Sequence, residues 1–151
     1  VLAGIVMFTT MAGVGMLDNM DACRRFGKEI MIMELGYGFT DEPYYIDGKA
    51  YPVIIDAKRA YIEGLSEKYP FTHDGQARFI RDLLARARAD GIAGAFYWEP
   101  LWIPRKGICW ASESSLEYIG EVGKPTANEW ANQCMFDYDG RKLPVFDEYK
   151  N

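Results

Sequence analysis

Ile30-Met31-Ile32-Met33-Glu34 is the stretch that decides the fold. Four bulky apolar residues in succession read as a strand buried on both faces, because parallel strands covered by helices on either side are near-continuously hydrophobic. A carboxylate inside such a run is costly unless it stands at the end of the strand and faces a cleft. In an eight-stranded α/β barrel the C-terminal strand ends carry the catalytic side chains, which makes Glu34 the first candidate for a catalytic carboxylate. The plainer reading, in which Glu34 opens a solvated loop after an ordinary core strand, stays open on these residues alone.

Upstream of this strand, Asp18 is placed to cap a short helix running to about Phe26, and Gly27 is a stop signal. Residues 1–16 are uncharged and mostly apolar. They are short for a membrane span, which needs about 20 apolar residues, and no basic stretch precedes them as in a signal peptide. A buried strand and loop is expected there.

Downstream, Gly36 to Phe71 is long for a strand-to-helix connection and holds Tyr37, Phe39, Tyr44, Tyr45 and Tyr51, with breaks at Pro43 and Pro52. Connections of this length without regular structure are usually functional or disordered, and the tyrosines favour function. A helix over 56–66 is expected within it. Thr72 can cap the next helix, with Asp74 complementing the helix dipole. Phe79, Ile80, Leu83, Leu84 and Ala87 then recur at helical spacing and predict a core-facing stripe. Asp90-Gly91 ends that helix, and 92–98 reads as a second buried strand in which Gly94 permits close packing. Strand, helix, strand is the rhythm of a parallel α/β fold.

The second strand runs into Tyr97-Trp98-Glu99-Pro100-Leu101-Trp102-Ile103-Pro104. A tryptophan at a strand end can floor a sugar subsite, its flat face matching the apolar face of a pyranose; a core tryptophan is the alternative. Glu99 is a second carboxylate at the same level, able to serve catalysis, substrate hydroxyls or loop amides, with a structural use favoured. Retaining glycosidases need two carboxyl groups about 5–5.5 Å apart, and two adjacent strands ending in Glu34 and Glu99 leave that pairing open.

Composition narrows the partners. The chain has 151 residues, single-domain size, with 49% hydrophobic and 26% charged residues, as in a globular protein. The formal net charge is −5 and no Lys/Arg run exceeds two residues, which argues against a nucleic-acid backbone as partner. Aromatic residues make up 15%, enough to supply both a core and a ring-lined cleft. Cys23, Cys109 and Cys134 lack metal-ligand spacing and His73 is the single histidine, so a zinc site and a histidine-based triad are disfavoured. Asp41, Glu42 and Asp47 match no metal motif, and neither metal nor cofactor is expected. No Gly-rich phosphate loop follows either strand, which disfavours a flavodoxin-like domain.

Taken in order, these pieces resemble the C-terminal part of glycoside hydrolase family 53, the arabinogalactan endo-β-1,4-galactanases. Arg25-Phe26-Gly27-Lys28 followed by Ile30 to Tyr37 is similar to that family's passage into strand seven, which ends in Glu-x-x-Tyr. Tyr69-Pro70-Phe71-Thr72-His73-Asp74-Gly75-Gln76 and Phe79-Ile80-Arg81-Asp82-Leu83 resemble its helix seven, and Phe96-Tyr97-Trp98-Glu99-Pro100-Leu101-Trp102 its strand eight. Trp130-Ala131-Asn132-Gln133-Cys134-Met135-Phe136-Asp137, with Gly140 and Leu143-Pro144, is similar to the closing segment. The match runs from about residue 17 to 147.

The resemblance implies that residues 1–151 are a partial catalytic domain, about strands seven and eight of a TIM (β/α)8 barrel without its N-terminal half. It implies a retaining endo-acting hydrolase of β-1,4-galactan, secreted to reach a polymer of the pectin type, with no membrane or nucleic-acid partner. Glu34 aligns with the nucleophile, and Tyr37, Trp98, Glu99 and Trp102 would line the substrate. The family's acid/base Glu follows an Asn at the end of strand four; Asn128-Glu129 lies in the closing segment and is not that motif. The isolated chain is therefore expected to be inactive, since general acid catalysis contributes roughly 10²–10⁴-fold. Residues 9–13 also lack the aromatic ending usual for strand six. Two alternatives keep the residues and change the function: another retaining β-glycanase, or a non-catalytic carbohydrate-binding remnant.

Overall fold

A computed structural model describes residues 3–5, 21–53, 64–108, 111–118, 120 and 130–150. Its centre is a parallel sheet of β1 (Ala3–Ile5), β2 (Ile30–Leu35) and β5 (Gly94–Tyr97), in the order β1-β2-β5. Gly4 pairs with Met31, and Met31 in turn with Gly94. Parallel neighbours need a crossover; between β2 and β5 it is α3 (His73–Ala89). The remaining elements are α1 (Asp21–Arg24), α2 (Leu65–Lys68), α4 (Glu113–Tyr118), a hairpin of β3 (Tyr44–Ile46) and β4 (Lys49–Tyr51), and two 3₁₀ turns at Ala131–Gln133 and Pro144–Tyr149.

The strand expected within residues 1–16 is present as β1; the rest of that segment, Asp18 and its cap lie outside the described residues. The first helix stops at Arg24, two residues short of Phe26, where the chain turns through Gly27 at φ 61°. Of the helix expected over 56–66, residues 54–63 lie outside the described set and the described helical turn is α2. The strand expected over 92–98 is shorter, Gly94–Tyr97, although the N–H groups of Ala93 and Trp98 still donate to Ile30 and Leu35 at 2.8 Å.

β2 is not buried on both faces. Ile30, Ile32 and Leu35 enter the core, while Met33 is 37% exposed and Met31 and Glu34 are half-buried. A bulge decides which residue ends the buried row. Ile32 pairs with Ala95 and Leu35 with Tyr97, so three steps on β2 match two on β5 and one extra residue is held in a bulge. The bulge returns Leu35 to the core side that strict alternation would give to Glu34. The opposite face, with Met33 and the 50% exposed Phe96, has no covering layer among the described residues.

α3 covers the core face. Phe79, Ile80, Leu83, Leu84 and Ala87 are all buried in one cluster with Ile30, Ile32 and Leu35. Thr72 Oγ1 accepts from Gly75 N–H at 3.0 Å, Arg86 and Arg88 occupy the last turn, and Gly91 leaves the helix at φ 70°. Gly75 is required by more than propensity, because a Cβ there would stand 1.8 Å from the Pro70 carbonyl oxygen. Gly75→Ala is expected to push the Tyr69–Thr72 turn away and break the cap, costing about 2–3 kcal/mol in a urea melt.

The β3–β4 hairpin turns on Asp47-Gly48, both in left-handed backbone (φ 50° and 76°) as a two-residue primed turn requires. Tyr44 and Tyr51 face each other across it, stacked at 5.4 Å, and Tyr138 packs on Tyr44. The long connection after β2 thus contains an aromatic hairpin.

Candidate active site

In a parallel sheet all strand ends of one sense lie at one edge, so the loops leaving β2 and β5 emerge together. Glu34, one residue before the end of β2, is half-buried, and its Oε2 lies wholly beneath the surface. Trp98 follows β5 directly and is anchored by its backbone to Leu35. Its ring meets Trp102 edge to face at 5.9 Å and Trp130 at 5.1 Å, and all three indoles remain partly exposed. The structure therefore brings Glu34, Trp98, Glu99 and Trp102 to the same end of adjacent strands.

Glu99 stands in left-handed backbone (φ 49°), an uncommon conformation for a glutamate, with its side chain exposed. Its carbonyl accepts from the Cys134 thiol at 3.7 Å. That thiol is fully buried and burial pushes its pKa up to about 12, so it remains a protonated donor rather than a nucleophile.

Tyr37 requires a correction. The sequence reading sets it against the substrate, yet it is 1% exposed. Its ring is sandwiched between Phe71 at 5.3 Å and Phe79 at 4.3 Å, and its hydroxyl donates to the Tyr69 carbonyl at 2.6 Å. Burial raises its pKa to about 12. Tyr37 anchors the chain just beyond Glu34 in the core, and it does so from behind the site.

Behind the mouth lies a buried polar clamp that the sequence reading missed. Gln76, in the first turns of α3, is fully buried. Its side-chain N–H groups donate to the carbonyls of Tyr37 and Cys134, both at 2.9 Å, with the Tyr97 hydroxyl at 3.1 Å beside them. The Tyr97 hydroxyl in turn donates to the Gln133 carbonyl at 2.6 Å. Burial raises the Tyr97 pKa far above the ordinary tyrosine range, so it stays a donor. One amide thus ties the loop after Glu34 to the closing segment.

That segment also reaches both strand-end loops. The Asn132 carbonyl accepts from Phe39 N–H at 2.7 Å and its side chain donates to Thr40 at 2.8 Å, while Met135 N–H donates to Pro100 at 2.9 Å. Trp130 arrives at the mouth by this route. The only signal for it in the sequence was an isolated tryptophan in the closing segment. Among the described residues, no group of three or more His, Cys, Asp or Glu side chains could hold a metal ion, and no helix is long and apolar enough to cross a membrane.

The fold and site together define a parallel α/β unit with polar and aromatic groups gathered at the C-terminal ends of its strands. The chain belongs to glycosyl hydrolase family 53, whose model matches residues 15–149. It is 36% identical over 138 residues to an uncharacterised protein encoded in the bgaB 5′ region of Niallia circulans, and 30% identical over 144 residues to the endo-β-1,4-galactanase of Bacillus subtilis strain 168. Those alignments cover 88% and 83% of this chain, and 32% of each relative. The GH53 catalytic domain of Ignisphaera aggregans superposes with a TM-score of 0.69 at 27% identity, over 97% of this chain and 37% of that one. This chain therefore spans about a third of the length of the proteins it matches.

Proposed function

We propose that the chain supplies the nucleophile side of a retaining endo-β-1,4-galactanase, with β2 and β5 as the seventh and eighth strands of the barrel. The observation that carries the reading is the position of Glu34: half-buried at the C-terminal end of a central parallel strand, with the Trp98–Trp102–Trp130 cluster at the end of the next. Membership of the family and the named activity of the Bacillus subtilis relative supply the substrate class.

In this mechanism the Glu34 carboxylate attacks the anomeric carbon of the galactosyl unit and the glycosidic oxygen leaves with a proton from a second carboxylic acid. Water then releases the glycosyl-enzyme with overall retention. Trp98 and Trp102 offer flat faces to the sugar rings, and Glu99 serves substrate hydroxyls or the loop. None of the described strands ends in Asn-Glu; the acid/base belongs to the part of the barrel this chain does not span. A polymeric substrate, a galactan of the pectin type, calls for an enzyme working outside the cell.

An activated 2-deoxy-2-fluoro-β-galactobioside tests the assignment, because its good leaving group needs no protonation. Incubated with the chain joined to the preceding part of a family barrel, it is expected to add one glycosyl mass to the peptide carrying Glu34. Label on the Glu99 peptide, or none in a folded chimera, overturns the assignment; the second outcome with retained galactan binding favours a carbohydrate-binding remnant.

A further inference from the structure

The hairpin and the loop after β5 enclose an open cavity of about 370 Å³ that the galactanase reading does not use. It is lined by Lys49, Arg105 and Lys106 against one carboxylate, Asp47, so the cavity carries two net positive charges in a chain whose net charge is −5. Each cation is held differently. Arg105 is fixed by donating to the carbonyls of Pro104 at 2.8 Å and Tyr138 at 2.9 Å. Lys106 reaches across to Asp47 at 2.6 Å and ties the loop to the hairpin turn. Lys49 lies over the Tyr51 ring at 5.2 Å, and among the described residues no carboxylate pairs with it.

Tyr51 is itself held flat by its stacking on Tyr44. The cavity thus presents a positioned guanidinium and a lysine resting on a ring rather than on a described carboxylate; Tyr44 stacks on that ring and Lys49 covers it, so it opens to a sugar when the Lys49 ammonium turns from the ring to an anion. Its two walls are loops that leave the C-terminal ends of β2 and β5, the same end that carries Glu34 and the tryptophans. Arg105 lies only three residues beyond Trp102 on one of them. A neutral sugar uses the ring but has no need of the charges, whereas a simple inorganic anion uses the charges and leaves the ring idle. A sugar bearing a carboxylate uses both.

We infer that this cavity is a subsite for a carboxylate-bearing sugar, a uronate unit of the bound glycan. The choice of a sugar as carrier of the carboxylate rests on the reading of the chain as a glycan-acting protein; the charge complement does not.

The test is a titration of the chain, joined to the preceding part of a family barrel, with trigalacturonate and with galactotetraose, each at low and high salt, followed by calorimetry. The expected result is a preference for trigalacturonate at low salt. Salt and the double substitution Lys49→Ala, Lys106→Ala should each reduce it about tenfold, while Lys49→Arg preserves it. Circular dichroism checks that each variant is folded. Absence of trigalacturonate binding overturns the inference, as does a preference unchanged by the double substitution, or equally effective displacement by inorganic phosphate. Uronate binding without galactotetraose binding would leave the subsite standing and strike the galactan reading alone; the reverse would strike the subsite alone.

Discussion

In a barrel completed by joining this chain to the preceding part of a family member, Glu34→Gln is expected to lower kcat on galactan on the order of 10⁴-fold or more, and Glu99→Gln about tenfold. Glutamine keeps the volume and most hydrogen bonds of glutamate, so the first loss would report the missing nucleophile rather than a collapsed strand end. Small-anion rescue of Glu34→Ala sharpens the result. Azide entering the space vacated by the carboxylate should restore turnover of an activated galactoside and give a glycosyl azide of inverted configuration, an outcome a structural role for Glu34 cannot produce. Glu99 has less to lose: its side chain is exposed, and what the fold uses of it is the backbone carbonyl that receives the Cys134 thiol. Equal losses at both positions, or azide rescue at Glu99, would reverse the two assignments.

The second large effect is expected at Gln76, a fully buried residue. Gln76→Leu preserves volume but removes both N–H donors that reach Tyr37 and Cys134. Each buried carbonyl left without a donor costs about 1–3 kcal/mol. Gln76 Oε1 makes no hydrogen bond among the described residues, and its removal offsets part of that. A net loss of about 3 kcal/mol is expected as a lowered urea midpoint at constant m, a large share of a total stability of about 5–15 kcal/mol. The clamp also fixes the route by which Trp130 meets Trp98, so the tryptophan emission should redshift in the folded variant. A stability change below about 1 kcal/mol would show the clamp to be dispensable.

Much of the architecture is legible in the chain itself. The apolar run ending at Glu34, the Thr72 cap, the stripe on α3 and the strand leading to Trp98 each obey a local rule of periodicity or capping, and local rules are written in consecutive residues. The family resemblance rests on the same pieces. What is not legible depends on partners distant in the chain. The bulge in β2 exists only relative to β5. Tyr37 looks like a site residue because it stands three places after Glu34, but which side of the strand end it takes is decided by Phe71 and Phe79 further along the chain. Gln76 stands one turn ahead of the apolar stripe, and nothing local marks it as buried until its carbonyl partners, more than fifty residues away in the case of Cys134, are in place. The hairpin is of a different kind: Asp47-Gly48 between aromatic residues is a turn signal written locally in the sequence.

The bulge between Ile32 and Leu35 also bears on how such a strand can diversify over evolutionary time. In a regular strand every second residue is committed to the packed layer, so changing a side chain at the mouth risks exchanging a core residue for a polar one. The extra residue separates the two duties. Leu35 closes the packed layer, so the side chain two steps beyond Ile32 is released from that duty. Glu34 sits beside that division, where the side chain offered to the mouth is set apart from the one that closes the packed layer.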